Sequence, residues 1–317
     1  MRDSNTRVAM THGGGGRAMR TLIEEVFLRG ADDLPVDGVG LSAMDDGAAI
    51  RIGDQYLILT TDSHVIHPLF FPGGDIGRLS VAGTVNDLTM MGATKLLGLT
   101  CGVIVEEGLP REILEKVQAS MRATCKEAGV PIVTGDTKVM GKGELDRLVI
   151  NTAGVGLAPR VIRDNGLRVG DRIIVTGTVG DHGLAVMAAR NKLELEGKLE
   201  SDVAPLFDLI QLALRAGGEG VVALKDPTRG GVASALHEMA GKAGVGVLLS
   251  EPDIPVSEPA RAASELLGID PLHVANEGKA LLGDPDEGFA NEHVRLVRHL
   301  AAIPLHFLAA QRADLGA

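Results

Sequence analysis

Acidic residues beside small or hydroxyl-bearing neighbours recur along this 317-residue sequence: Asp45 and Asp46 in MDDGAA, Asp62 in TTDS, Asp87 in VNDL, Asp136 in TGDTK and Asp226 in KDPTRGG. Hard cations such as Mg²⁺ take a few carboxylate oxygens and fill their remaining positions with water and substrate phosphates. Aspartates dispersed over loops at strand ends suit such a metal–phosphate site. Taken singly, an aspartate beside Gly or Thr is most often a turn residue or a helix cap. The set points to a divalent-metal nucleotide site.

Two glycine segments supply the complementary donors. His12 to Met19 reads HGGGGRAM, and the amides of Gly13, Gly14, Gly15 and Gly16 can wrap a phosphate as a nest, although composition alone leans towards a linker. Asp226-Pro227-Thr228-Arg229-Gly230-Gly231 combines a stiff turn, backbone open to close approach and a guanidinium that can fork onto phosphate, ahead of a helical run. Its plain alternative is a capped helix start. A Walker A loop is excluded, because the Gly-Lys pairs led by Gly141, Gly197, Gly241 and Gly278 lack a following Ser or Thr. No strand precedes Gly13-x-Gly15-x-x-Ala18, so the dinucleotide fingerprint is disfavoured too.

The elements that must position these groups follow from periodicity. Strands are predicted at Gln55–Asp62, Leu96–Val105, Val130–Val133 and Leu145–Gly154. A helix is predicted over Pro110–Ala128, with Pro110 at its first position, a stripe of Leu114, Val117, Met121 and Cys125, and Gly129 as its stop. The turn-rich stretch from Ala158 to Gly170 divides the chain into domains at 1–158 and 159–317. The second reads as a strand at Ile173–Gly177, helices at His182–Arg190, Ala204–Ala216 and Gly230–Ala243, a strand at Val245–Ser250 and a helix at Pro259–Leu267. The alternation gives mixed α/β or α+β layers.

Composition narrows the function. Charged residues total 31 basic and 42 acidic, for a net charge of −11, which disfavours nucleic acid or an anionic membrane as partner. Glycine is 42 of 317 residues, about 13% against the usual ~7%, and Trp is absent, so the core is aliphatic and many turns need backbone freedom. No apolar run is long enough for a membrane span. Cys101 and Cys125 lack metal or disulfide spacing and read as reduced residues of a cytoplasmic protein.

From about residue 10 to 279 the chain resembles the ATP-dependent superfamily of aminoimidazole ribonucleotide synthetase, selenophosphate synthetase, thiamine-monophosphate kinase and the hydrogenase maturation factor HypE. The phrases FFPGGDIGRLSVAGTVNDLTMMGA, IVEEGLP, IVTGDTKV, GDHGLAV, SDVAPL, DPTRGG and LGIDPLHVANEGK are most similar to the HypE carbamoyl dehydratases. The resemblance implies a two-domain PurM-like α+β fold, a homodimer paired through N-terminal sheets, and ATP between the N-terminal sheet and the C-terminal domain. It implies Asp46, Asp87 and Asp226 as Mg²⁺ ligands with Asp62 and Asp136 nearby. Gly13 to Gly16, Lys138, Thr228 and Arg229 would handle phosphates, and Asp87 and Glu277 would lie nearest the reacting group.

The implied reaction phosphorylates the oxygen of a cysteine S-carboxamide with ATP, then eliminates phosphate to leave a thiocyanate for cyanide ligands of nickel–iron hydrogenases. Glu277 is the expected base and His182 the reserve. The structural alternatives are a Glu277–Lys279 ion pair and a helix N-terminal role for His182. Implied partners are a carbamoyltransferase and an iron-carrying scaffold complex. Family chains end in Pro-Arg-Ile-Cys, whereas this sequence ends QRADLGA, with no cysteine after Cys125.

The resemblance is expected to stop after Lys279, where DPDEGFANEHVRLVRHLAAIPLHFLAAQRADLGA reads as an amphipathic helical segment broken by Pro304. A truncated or frameshifted product, ATP binding without turnover, and action on a cysteine supplied in trans all fit, and a less stable C-terminal domain is expected. The alternatives are a catalytically impaired dimeric assembly factor or a thiamine-monophosphate kinase. Selenophosphate synthesis is disfavoured, since Gly16 and Arg17 stand where its nucleophile is required.

Overall fold

The computed structural model describes residues 7–30, 35–193, 197–284 and 306–311. After α1 (Gly16–Leu22), strands β1 (Gly38–Val39), β2 (Ala48–Ile52) and β3 (Gln55–His64) form one side of the first sheet. The small hairpin β4 (Phe70–Phe71) and β5 (Gly74–Asp75) then leads into α2 (Ile76–Met90). β6 (Lys95–Glu106), α3 (Arg111–Ala128), β7 (Ile132–Met140) and β8 (Leu148–Ala158) complete this half. Its sheet order is β1-β2-β3-β8-β6-β7, antiparallel except for the β6–β7 pair that α3 connects.

The second half contains β9 (Arg172–Val175), α4 (Asp181–Arg190), α5 (Phe207–Gly217), β10 (Ala223–Lys225) and α6 (Gly231–Ala243). β11 (Gly246–Leu248), α7 (Glu258–Leu267), β12 (Leu281–Asp284) and β13 (His306–Gln311) follow. Its sheet runs β10-β12-β9-β13-β11. Successive residues of β9 point to opposite faces, as strand geometry requires. Ile173 and Val175 join Val232, Ala235, Leu236 and Met239 of α6, while Ile174 joins Ile210 and Ala213 of α5.

Helix α2 carries the join between the halves. Thirteen of its fifteen residues are buried, and only Arg78 and Asp87 are not. Such a helix must be enclosed by protein on every side. Asp75 caps it by accepting from the amides of Gly77 and Arg78. Arg78 donates to Glu127 of α3 at 2.6 Å and to the Val203 carbonyl at 2.8 Å. Asn86, 1% exposed, donates to the carbonyls of Ala204 and Glu277 and accepts from the Leu206 amide at 2.7 Å.

Several expectations change. Pro110 is the cap preceding α3, with φ −58° and ψ 131°, and not its first helical residue. The strand expected at Val130–Val133 runs to Met140, because parallel pairing with β6 continues through Gly135, Asp136 and Lys138. Asp136 therefore lies within an edge strand and not in a strand-end loop. The Leu145–Gly154 strand shifts to Leu148–Ala158 under pairing to both β3 and β6. Helix α5 starts at Phe207 and not Ala204, whose amide is held by the Glu277 carbonyl. The helical reading after Lys279 fails at His306–Gln311, which pairs as a strand between β9 and β11; residues 285–305, including Pro304, lie outside the described residues.

Replacing Asn86 with Ala strands two buried backbone groups, the Ala204 carbonyl and the Leu206 amide, and takes one of two donors from the Glu277 carbonyl. Guanidinium unfolding should show a loss of about 3 kcal/mol at unchanged slope. A midpoint equal to wild type would remove Asn86 from its place as the pin between the halves.

Candidate active site

An open cleft of about 600 Å³ lies where the two halves meet. Its wall includes Gly15, Gly16, Asp45, Asp46 and Thr60 from the first half and Lys225, Asp226, Thr228, Arg229 and Glu238 from the second. Met19, Ile23, Leu28, Leu41, Met44, Ala48 and Leu59 supply an apolar lining alongside.

The two predicted phosphate segments touch. Gly15 has φ +81°, and a Cβ there would stand 2.8 Å from the Arg229 carbonyl oxygen, so only glycine allows the N-terminal loop this close to the DPTRGG turn. Helix α6 begins directly after that turn with no side-chain cap, leaving its first amides without a side-chain acceptor beside the cleft wall. Gly13 and Gly14 have open space around them and are not part of the lining.

The aspartates converge from four elements. Asp46 precedes β2, Asp62 lies on β3, Asp87 on α2 and Asp226 just past β10. The Thr60 hydroxyl lies 2.9 Å from Asp87 Oδ2 and 3.0 Å from the Asp46 carbonyl oxygen. Burial and the charges of Asp226, Asp46 and Asp62 hold the Asp87 carboxyl well above its ordinary range, against the Thr60 hydrogen bond. Burial and Asp46 push Asp226 up to about 8, with Lys225 opposing. Asp87 and Asp226 therefore each feel the charge of acidic neighbours, and a cation would relieve the crowding.

Glu277 belongs to the same field. Burial, then Asp226, Asp202 and Asp62, push its carboxyl well above the ordinary range, while Arg229 opposes. Its backbone is fixed at both ends: its amide donates to Asp202 Oδ1 at 3.0 Å, and its carbonyl accepts from Asn86 and from the Ala204 amide. A Cβ on Gly278 would stand 1.8 Å from the Asp202 carbonyl oxygen, so glycine is required for this approach. Lys279 pairs with Asp202 at 3.3 Å, and no Glu277–Lys279 ion pair occurs among the described residues.

Other predicted residues lie elsewhere. Asp136 and Lys138 are exposed on β7, the edge strand separated from β3 by β8 and β6, and do not line their own chain's cleft. His182 is the second residue of α4 and is 5% exposed, with Nδ1 2.8 Å from Ser201 Oγ and its ring edge-on to Phe71. That placement matches the structural alternative. Asp87, Asp62 and Glu277 are not among the residues lining the cleft and are linked to it through Thr60 and through charge.

Several contributors carried no sequence signal of their own. His64 is buried, with Nε2 3.4 Å from Asp62 Oδ2 and 3.5 Å from Thr152 Oγ1. Burial and Arg229 lower its pKa, and Asp62 opposes. Asn276 accepts from the Gly180 amide and donates to the Pro227 carbonyl, fastening the DPTRGG turn to the start of α4. Lys225, Asp164 and Lys242 form a buried ion cluster beside Asp46. Only their positions in the fold bring them together.

Whether the carboxylates suit Mg²⁺ is decided by Asp46. Its Oδ2 is buried and accepts no hydrogen bond, an expensive state for a carboxylate oxygen that a cation would correct. Among the described residues no three His, Cys, Asp or Glu side chains form a group able to hold a metal ion by themselves. That fits Mg²⁺, which prefers one or two carboxylates and completes its shell with phosphate and water.

Residues 44–158 match the N-terminal domain of the AIR synthase related proteins, and residues 168–288 match their C-terminal domain. The carbamoyl dehydratase HypE of Rhizobium leguminosarum bv. viciae is 44% identical over 315 residues, covering 99% of this chain and 86% of that protein. A chain of the crystal structure of a HypE–HypF complex superimposes with TM-score 0.83 at 43% identity, over 91% of this chain and 92% of its own. The crystal structure of hydrogenase maturation protein HypE in complex with ATP gives 0.77 at 39%, over 97% and 90%. Similarity thus continues past Lys279, where it was expected to end.

The buried His182 predicts an acid-side stability loss. Its pKa falls from 6.5 to about 4 because burial outweighs the nearby Asp202. Between those values the unfolded chain binds the proton and the folded chain does not, so this contribution is complete above pH 6.5 and lost as pH drops towards 4. Denaturant titrations of His182→Asn should show a pH dependence smaller than wild type by about 3 kcal/mol across that interval. Parallel curves would refute the assignment.

Proposed function

The chain belongs to the HypE family of AIR synthase related proteins, and on that premise we propose that it is a Mg²⁺-dependent, ATP-consuming carbamoyl dehydratase of hydrogenase maturation. The observation that carries this reading is that Asp46 and Asp226 line one cleft with two glycine-rich phosphate segments, with Asp62, Asp87 and Glu277 joined to them through Thr60 and through charge. In it, Asp46 and Asp226 would hold Mg²⁺ from the cleft wall with Asp87 completing the acidic set through Thr60, while Gly15, Gly16, Thr228 and Arg229 would receive the phosphates. Bound Mg²⁺ supplies charge neutralisation for the transferring phosphoryl group.

The substrate is a cysteine S-carboxamide. Its carbonyl oxygen takes the γ-phosphoryl group with release of ADP, and loss of phosphate together with the nitrogen protons leaves the thiocyanate. Arg229 stabilises charge on the phosphoryl oxygens, and Glu277 receives a nitrogen proton. Burial and acidic neighbours raise the Glu277 carboxyl, and a cation beside Asp226 would lower it again, leaving the carboxylate form that can accept the proton. His182, held by Ser201 and Phe71, serves as a packing residue.

The solved HypE–HypF complex supports a HypF-like carbamoyltransferase as donor of the carboxamide, with an iron-carrying scaffold as the receiver of cyanide. The reading places the protein in the cytoplasm, where Cys101 and Cys125 stay as thiols; no helix among the described residues is long and apolar enough to cross a membrane. It takes residues 1–158 and 159–317 as the two domains.

Pairing of two copies belongs to the same reading. β7 is an edge strand exposed along nearly its whole length, with Val133 63% and Val139 66% exposed. Unprotected apolar edges of this kind call for a covering partner. Asp136 and Lys138 share this edge, so pairing carries them against the second copy. Light scattering should give twice the 33.0 kDa chain mass, and Val133→Lys with Val139→Lys should return a folded monomer. A wild-type monomer at micromolar concentration contradicts this part.

The reaction is tested with a peptide ending in an S-carbamoylated cysteine, supplied with ATP and Mg²⁺. ADP, phosphate and a nitrile-bearing peptide should appear in equal amounts. Glu277→Gln should retain nucleotide binding but lose about a hundredfold or more in dehydration rate. A full rate in that variant transfers the proton to another group, and phosphorylation of thiamine monophosphate by the wild type would replace the reading altogether.

A further inference from the structure

Beside the carboxylates stands a cation whose placement the proposed chemistry leaves unused. Lys225 ends β10, immediately before Asp226, and its side chain lines the cleft although the residue is only 7% exposed. Its Nζ lies 2.7 Å from Asp46 Oδ1, 3.4 Å from Asp164 Oδ2 and 3.6 Å from Glu238 Oε2. The ammonium thus sits against the same carboxylate that would hold a metal.

Its partners differ in what they would lose if it moved. Asp164, fully buried, has a second lysine: Lys242 Nζ is 2.6 Å from Asp164 Oδ2 and is itself anchored on the Met44 carbonyl at 2.6 Å. Asp164 stays paired without Lys225. Asp46 has no such reserve, because its Oδ2 accepts nothing and Lys225 holds its Oδ1. An arriving dication would meet a carboxylate already neutralised by a flexible point charge that borders open space.

We propose that Lys225 is an exchangeable counter-ion, occupying Asp46 while the cleft is empty and yielding it to Mg²⁺ as its own ammonium passes to the triphosphate. Two cations against one carboxylate repel, and a triphosphate offers the displaced ammonium a stronger partner. Lysine suits the exchange: it has a long stem, three rotatable donors and no fixed fork. Lys242 remains behind on Asp164, so the swing leaves no second buried charge unpaired.

The inference rests on the Mg²⁺–ATP reading, and calorimetry separates the two. Mg²⁺ alone and Mg²⁺ with ATP are titrated into wild type, Lys225→Met and Lys225→Arg. In Lys225→Met, Mg²⁺ alone should bind about tenfold more tightly, because nothing competes for Asp46, while Mg²⁺–ATP should bind about tenfold more weakly for want of the donor. Lys225→Arg, which can grip Asp46 with a guanidinium fork, should weaken binding of Mg²⁺ alone by about threefold or more.

Should Lys225→Met fail to fold, the charge-retaining arginine variant decides alone. Wild-type Mg²⁺ affinity in the folded variants overturns the exchange and leaves the nucleotide site standing. A wild-type protein that binds neither Mg²⁺ nor Mg²⁺–ATP overturns both.

Discussion

Carboxylates from separate stretches of the chain are confined within one another's field, and the rest of the structure is arranged around that confinement. Asp62 and Asp87 sit on β3 and α2, and Asp46, Asp226 and Glu277 on three separate loops, yet Asp226 and Asp62 raise the proton affinity of both Asp87 and Glu277. Like charges at short range in a poorly solvated place cost several kcal/mol unless they take up protons or find cations. The chain's own donors offset only part of that cost. Lys225, Lys242, Arg163 and the Thr60 hydroxyl stand among the acids, while Asp46 Oδ2 and Asp164 Oδ1 accept no hydrogen bond.

Holding such groups in place demands a rigid frame, and α2 supplies it. A helix with thirteen of fifteen residues buried cannot rotate without breaking packing on all sides, so Asp87 has one available direction. Asn86, its neighbour, fixes the backbone of Glu277 from the other half. One helix thereby sets the spacing between a proposed metal ligand and the proposed base. The glycine contacts act in the same sense: Gly15 against Arg229 and Gly278 against Asp202 remove side-chain volume where segments from different halves must touch.

Much of this was legible in the residues, for a physical reason that also explains what was not. β3, α3, α4, α6 and α7 carry strong local patterns, with boundaries recovered within a residue or two. Asp46, Asp226, Gly15, Gly16, Thr228 and Arg229 lie in segments that read as metal or phosphate binding with turns, a linker or a helix start as the alternatives, and all line the cleft. β7 was read short because TGDTK looks like a turn; its strand state comes from pairing with β6. β13 follows from two antiparallel neighbours that local amphipathicity cannot register. Lys225, Asp164 and Lys242 are distant in sequence, and only tertiary packing makes them one cluster.

Neither half contains a complete site, and this has an energetic consequence. Asp46, Asp62 and Asp87 belong to the first sheet and its helix, whereas Asp226, Arg229 and Glu277 come from beyond residue 220. The Gly15 and Arg229 backbones meet only when both halves are folded and joined. A ligand that needs donors from both must stabilise the joined state over any state in which they separate, by an amount set by its affinity and concentration. The buried ion cluster of Lys225 and Lys242 with Asp46 and Asp164 itself spans the halves. Loading the site with a dication and triphosphate therefore extends an electrostatic tie that the folded chain has begun, and couples the chemistry to the integrity of the two-domain frame.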